Sequence, residues 1–338
     1  MTTFETLTAA GLALALSAAA AAGAETFRYG TNWVAEAEHG GFYQAVADGT
    51  YAACGLDVEI VPGGPQVNGR ALLLAGRLDA YMGGSLLQPF AAIAEGVPVV
   101  VVAALFQKEP QVLLTHPSRV ASFEDIAKEE LKVLTSDEAF VTWYRMLMIR
   151  YGFKEEARAP YTFNPAPFIA DPDVAQQGYV TSEPFAVERE TGWSPDVWLL
   201  AEHGFSTYAT TIEVTRETLA TRRDAIQCFV EGSALGWVNY LYGDNTAAND
   251  LIKAHNPDMS DEQIAYSIEA MKKYGIVISG DVETLGIGAM TDARMRQFYD
   301  DMVASDVLPA GLDITQAYTL EFVNKGAGLD RLKELTGQ

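Results

Sequence analysis

The feature that most constrains this chain is a strand-helix unit that repeats from residue 26 onward and is punctuated by glycine. Thr26 to Thr31 reads as a strand, Gly40 to Gly49 as a short helix, and Leu56 to Val61 alternates as a strand does. Gln66 to Ala75 has helical spacing closed by Gly76, Leu78 to Met82 is a buried strand stopped by Gly83-Gly84, and Leu86 to Ala94 is a helix closed by Gly96. Val97 to Leu105 is then an almost unbroken apolar run, the pattern of a strand whose two faces are both covered by helices. Repetition of this unit predicts an α/β fold with a mainly parallel sheet.

The pattern restarts at Val112 to Thr115 and continues through Leu131 to Thr135, a helix over about Asp137 to Arg150, and strands near Pro160 to Phe163 and Gly178 to Ser182. Beyond about Tyr208 the sequence turns helical, at Arg222–Tyr242, Ala247–Ala254, Ser260–Tyr274 and Asp292–Ala304, with a final helix after Tyr318. These helices have no sheet of their own, so they are expected to pack back onto the first unit. Two lobes follow: residues 25–108 with 209–338 form the first and residues 109–208 the second, joined by crossovers near Gln107–Gln111 and Gly204–Thr211. A chain of 338 residues is long enough for both cores.

Thr8 to Ala22 is an almost uncharged Ala/Leu run ending in Ala22-Gly23-Ala24, which predicts an exported chain with residues 1–24 removed as a signal peptide. The leader has no Lys or Arg and carries Glu5, unlike an ordinary signal. The two cysteines, Cys54 and Cys228, are far apart in sequence. Neither sits at the cleavage site, so no lipoprotein is expected, and whether they pair is left open by sequence alone. A formal net charge of −22 opposes binding to nucleic acid or to an anionic membrane surface, yet says little about a small ligand, which meets only local charge.

The stretch Leu73-Leu74-Ala75-Gly76-Arg77-Leu78-Asp79-Ala80-Tyr81-Met82-Gly83-Gly84 resembles the helix-to-strand turn of bacterial type II periplasmic binding proteins. More narrowly it is similar to the NMT1/THI5-like group, which includes receptors for thiamine-pyrimidine precursors and sulfonates. Glu38 to Ala45, Gly55 to Glu59, Gly96 to Val100, Ser122 to Asp125 and Tyr318 to Val323 agree in the same order. The resemblance implies a monomeric periplasmic receptor of an ABC importer, which closes two lobes on a small molecule and presents it to permease subunits.

In parallel α/β sheets ligands meet the loops at the carboxyl ends of strands. That rule selects Asn32-Trp33, Gly83-Gly84-Ser85, Ser136-Asp137-Glu138 and Ser182-Glu183. Trp33 beside Asn32 suits a flat heterocycle by stacking plus a side-chain amide, against a plain packing role. His39 and Tyr43 share one face of the first helix, a spacing equally common in a core. Gly83, Gly84 and Ser85 would leave backbone N–H groups free for a ligand at a helix start, although a tight turn also needs glycine. Asp137 and Glu138 read first as helix-capping acids. Glu183 is an acceptor for an N–H donor, and Tyr179 and Trp143 are candidates for a second aromatic wall.

No Gly-x-Ser-x-Gly elbow, phosphate loop or His-Glu-x-x-His pair is present, and the four histidines are scattered, so no metal site, cofactor or catalytic residue is expected. Yeast-type pyrimidine synthases share the fold group and carry a cysteine-rich motif that this chain lacks. An oxyanion receptor for a sulfonate, nitrate or carboxylate would place Arg or several hydroxyls at helix starts. The candidate loops hold Asn32, Trp33, Glu36, Glu38, Asp137 and Glu183 with no Arg, which favours a neutral or weakly basic planar solute such as a pyrimidine.

Overall fold

Ten strands divide between two five-stranded sheets in a computed structural model that describes residues 24–337. The expected leader lies outside the described residues except for Ala24. The first sheet takes β1 (Glu25–Gly30), β2 (Leu56–Val61), β3 (Ala80–Ser85), β4 (Val99–Phe106) and β10 (Ala209–Thr215), in the order β2-β1-β3-β10-β4. The second takes β5 (Gln111–Thr115), β6 (Lys132–Thr135), β7 (Arg158–Pro160), β8 (Val174–Tyr179) and β9 (Asp196–Leu199), in the order β7-β6-β8-β5-β9. The chain crosses between sheets twice, from β4 to β5 and from β9 to β10.

The sheets are mixed, which corrects the expectation of a mainly parallel sheet. In each one, the strand that arrives straight from a crossover runs against its neighbours: β10 is antiparallel to β3 and β4, and β5 is antiparallel to β8 and β9. Ala209–Thr215 had the look of a helical approach, but its Thr, Ile and Val side chains are buried almost throughout, and it forms the fourth strand of the first sheet. β-branched residues pack well on a pleated surface whatever their polarity.

Every residue of β4 is buried. Its outer edge is closed by the tail, where Val101 N donates to Ala317 O at 2.7 Å and Thr319 N donates to Val101 O at 3.0 Å. That contact covers part of the β4 edge that a stray strand could otherwise pair with. The long helix Arg223–Tyr242 returns to the first lobe and packs on the helix Gly40–Ala47. There a Cβ on Gly41 would fall 2.3 Å from the Trp237 ring, and one on Gly236 would fall 2.1 Å from Gly41 O, so both positions require glycine for this close approach. Cys54 and Cys228 are joined in a disulfide with Cα atoms 5.9 Å apart, tying this helix to the turn before β2. Among the described residues no helix is long and apolar enough to cross a membrane.

Candidate functional site in the interlobe cleft

The carboxyl ends of β1, β2 and β3 face those of β6, β7 and β8 across a cavity of about 690 Å³. The wall on the first lobe begins with the loop after β1. Thr31 Oγ1 donates to Trp33 O at 2.9 Å, and Gly63 N donates to Trp33 O at 3.0 Å, which pins Asn32 and Trp33 at the rim. Gly63 must be glycine here, because a Cβ would meet Thr31 O at 2.4 Å. Opposite, Phe163 follows β7 with its ring 5.9 Å from that of Trp33. It is 63% exposed and held at φ 59°, a backbone region that bulky residues seldom adopt.

Of the residues selected from sequence, Asn32, Trp33, Gly84, Ser85, Ser136, Glu138, Trp143, Tyr179, Ser182 and Glu183 line the cavity. Ser85 N is already engaged, donating to Gln88 Oε1 at 3.2 Å, so the expected row of free amides is shortened by one. Trp143 is almost fully buried in the floor, its Nε1 donating to Gln111 Oε1 at 3.1 Å. Glu183 accepts from Tyr179 N at 2.7 Å and from Tyr161 Oη at 3.3 Å, which fixes its carboxylate at the start of the helix Glu183–Thr191. Gln88 Nε2 donates to Glu138 Oε1 at 3.2 Å and so bridges the two lobes at the mouth.

Four selected residues lie elsewhere. Gly83 points away from the cleft, where a Cβ would collide with Glu213 Oε1 at 2.2 Å and Thr211 Oγ1 at 2.4 Å. His39 and Tyr43 belong to the core, because the face they share is the one that packs against the C-terminal helices. Tyr43 Oη bonds His255 Nδ1 at 2.8 Å, and burial pushes His39 down to about 3, so it stays neutral. Asp137 pairs with Arg158 at the surface while Ser136 caps the helix start, accepting from Ala139 N at 3.1 Å.

Sequence reasoning missed Phe163 and Glu109. Phe163 stands at the end of a strand and the same positional rule reaches it. Glu109 lies in the first crossover, where the chain must pass between the lobes. Five carboxylates line the cavity, from Glu36, Glu38, Glu109, Glu138 and Glu183, against a single cation, Arg70. One edge of the Arg70 guanidinium is occupied: Nε and Nη2 donate to the buried Glu213 carboxylate at 3.0 Å and 2.7 Å. Burial raises Glu36, Glu38 and Glu183 above the usual carboxylate range, and mutual repulsion adds to the rise of Glu36 and Glu38. Burial likewise pushes Glu109 up to about 8. Among the described residues no group of three side chains is placed to hold a metal ion.

Two mixed α/β sheets joined by two crossovers around a central cleft make up the periplasmic binding protein fold. A conserved Candida albicans gene product with that fold is similar over 87% of this chain and 96% of its own, at 17% identity and a TM-score of 0.60. The chain belongs to the NMT1/THI5-like family, whose model matches residues 36–247. The alkanesulfonate-binding protein SsuA from Xanthomonas axonopodis pv. citri, solved with MOPS, is similar at 14% identity and a TM-score of 0.59, covering 88% of this chain and 99% of that one. The desulfurization enzyme DSZB is similar at 16% identity and a TM-score of 0.55, covering 91% and 99%. No curated protein matches the chain in sequence.

Proposed function

We propose that this chain is the periplasmic receptor of an ABC importer, closing its lobes on a small planar nitrogen heterocycle and handing it unchanged to permease subunits. The observation that carries this reading is a cleft lined from both sheets, where the Trp33 and Phe163 rings of opposite lobes meet with centroids 5.9 Å apart. A ligand touching both walls stabilises the closed arrangement by its differential affinity, which is what a permease can recognise. Stacking on one of these rings and N–H donation to Glu183 fit a pyrimidine-like solute. The oxyanion alternative meets a wall of five carboxyl groups against one guanidinium, whose charge is shared with Glu213 through Nε and Nη2.

Thermal-shift and calorimetric titration of the protein lacking its leader, against pyrimidines, flavins, sulfonates and amino acids, tests the reading. Trp33→Ala and Glu183→Ala are each expected to weaken the best ligand at least tenfold, about 1.4 kcal/mol, with the melting transition retained. Unchanged affinity in both variants would place the ligand elsewhere. A bound compound recovered with altered mass would turn the reading toward an enzyme.

A further inference from the structure

Resting on the receptor reading above, we infer that the ligand is an organic cation, its positive charge supplying the counter-ion that the cleft carboxylates lack. The walls carry five carboxyl groups and one guanidinium, which already holds Glu213. Glu36 and Glu38 follow the aromatic loop, Glu183 opens the facing helix, and Glu109 comes from the crossover between them. These groups lie close enough to act on one another: Glu183 disfavours ionisation of both Glu36 and Glu38, and Glu36, Glu38 and Glu109 all act on Tyr179.

Glu109 supplies the independent observation. It is only 3% exposed and it lines the cavity, yet its Oε2 has no hydrogen-bond partner among the described residues. Its other oxygen accepts only the Tyr179 hydroxyl, at 3.3 Å. A buried carboxylate left in this state is costly, and folds normally pair or fully hydrogen-bond such a group. This fold does so for Glu213 with Arg70, so the omission at Glu109 is local to the cleft. The proton that Glu109 retains up to about pH 8 marks the missing charge.

Aromatic faces complete the arrangement. Trp33 and Phe163 both line the same cavity, and a cation over the face of such a ring is drawn to its negative quadrupole. A neutral heterocycle would use the rings and leave Glu36, Glu38 and Glu109 uncompensated, whereas an anion would add repulsion. An ammonium, pyridinium or thiazolium group meets both demands.

The test uses molecules matched in shape and differing in charge. 1-Methylnicotinamide, nicotinamide and nicotinate form one series, and thiamine with its neutral hydroxymethylpyrimidine half forms another. Titration calorimetry on the protein lacking its leader is expected to show the cationic member binding at least tenfold more tightly than its neutral partner, with that preference lost in Glu109→Gln. A neutral or anionic member binding as tightly as the cation overturns the charge assignment and leaves the receptor reading standing. Silence from every member overturns the receptor reading for flat nitrogen solutes itself. A ligand-free measurement separates the two further: at pH 9, Glu109→Gln should melt at a higher temperature than the parent chain. A lower melting temperature would mean that the protein already satisfies this carboxylate, and the inference fails.

Discussion

Glu213 and Glu109 are both buried carboxylates within the reach of one cleft, and the fold treats them in opposite ways. Glu213 sits on the bulge of β10 with no side-chain exposure, under Gly83, and holds Arg70 through two bonds. Glu109, in the crossover, holds one tyrosine hydroxyl and leaves an oxygen unpartnered. The first is structure, complete without a guest. The second is half of an interaction. A buried acid is therefore informative about function only when its partners are counted.

The widest separation between the two is expected on removing the charge. Glu213→Gln strands the Arg70 guanidinium over a buried amide and should lower unfolding free energy by about 3–5 kcal/mol in urea titrations, while Glu109→Gln should not destabilise at pH 9. Equal losses in both would erase the distinction. Gly83→Ala, which drives a methyl group into Glu213 and Thr211, should cost about 1–3 kcal/mol by the same measurement and leave ligand affinity unchanged.

A third expectation concerns pH. The Glu109 carboxyl is raised to about 8 in the folded chain against 4.5 in the unfolded one, so the folded state binds more protons between those limits. Stability from this group is present at low pH and is lost as pH rises through 8, at up to about 1.4 kcal/mol per unit. Glu138 and the Tyr179 hydroxyl face it, and Glu36, Glu38 and Glu183 shift in the same direction. Melting followed from pH 5 to 9 should show the parent chain losing stability relative to Glu109→Gln. The smallest effect belongs to the mouth: Gln88→Ala removes the bridge to Glu138 and should change ligand affinity by about 0.5–1.5 kcal/mol at most, read by titration.

Much of this was legible in the sequence. Trp33, Ser85 and Glu183 stand where strands end, and a rule about strand ends finds them without coordinates. Gly83 shows the limit of that rule. A glycine pair at a strand terminus reads the same whether it makes room for a ligand or for a buried glutamate 130 residues away, and only the pleat of β3 decides between them. The spacing of His39 and Tyr43 marks a shared face without saying which way the helix turns it. Arg70 and Glu213 are separated by 143 positions, so nothing local announces that the cleft's cation is spoken for. β10 escaped because Thr210 and Thr211 read as polar text although the strand is buried.

The tail contact on β4 has a consequence for how the protein is made. The first sheet is assembled from both ends of the chain, and its outer seam is stitched by Thr319, long after the other strands have left the ribosome. A nascent polypeptide therefore holds an unfinished first sheet until Thr319 has been made, so the lobe closes only when both of its distant segments are present.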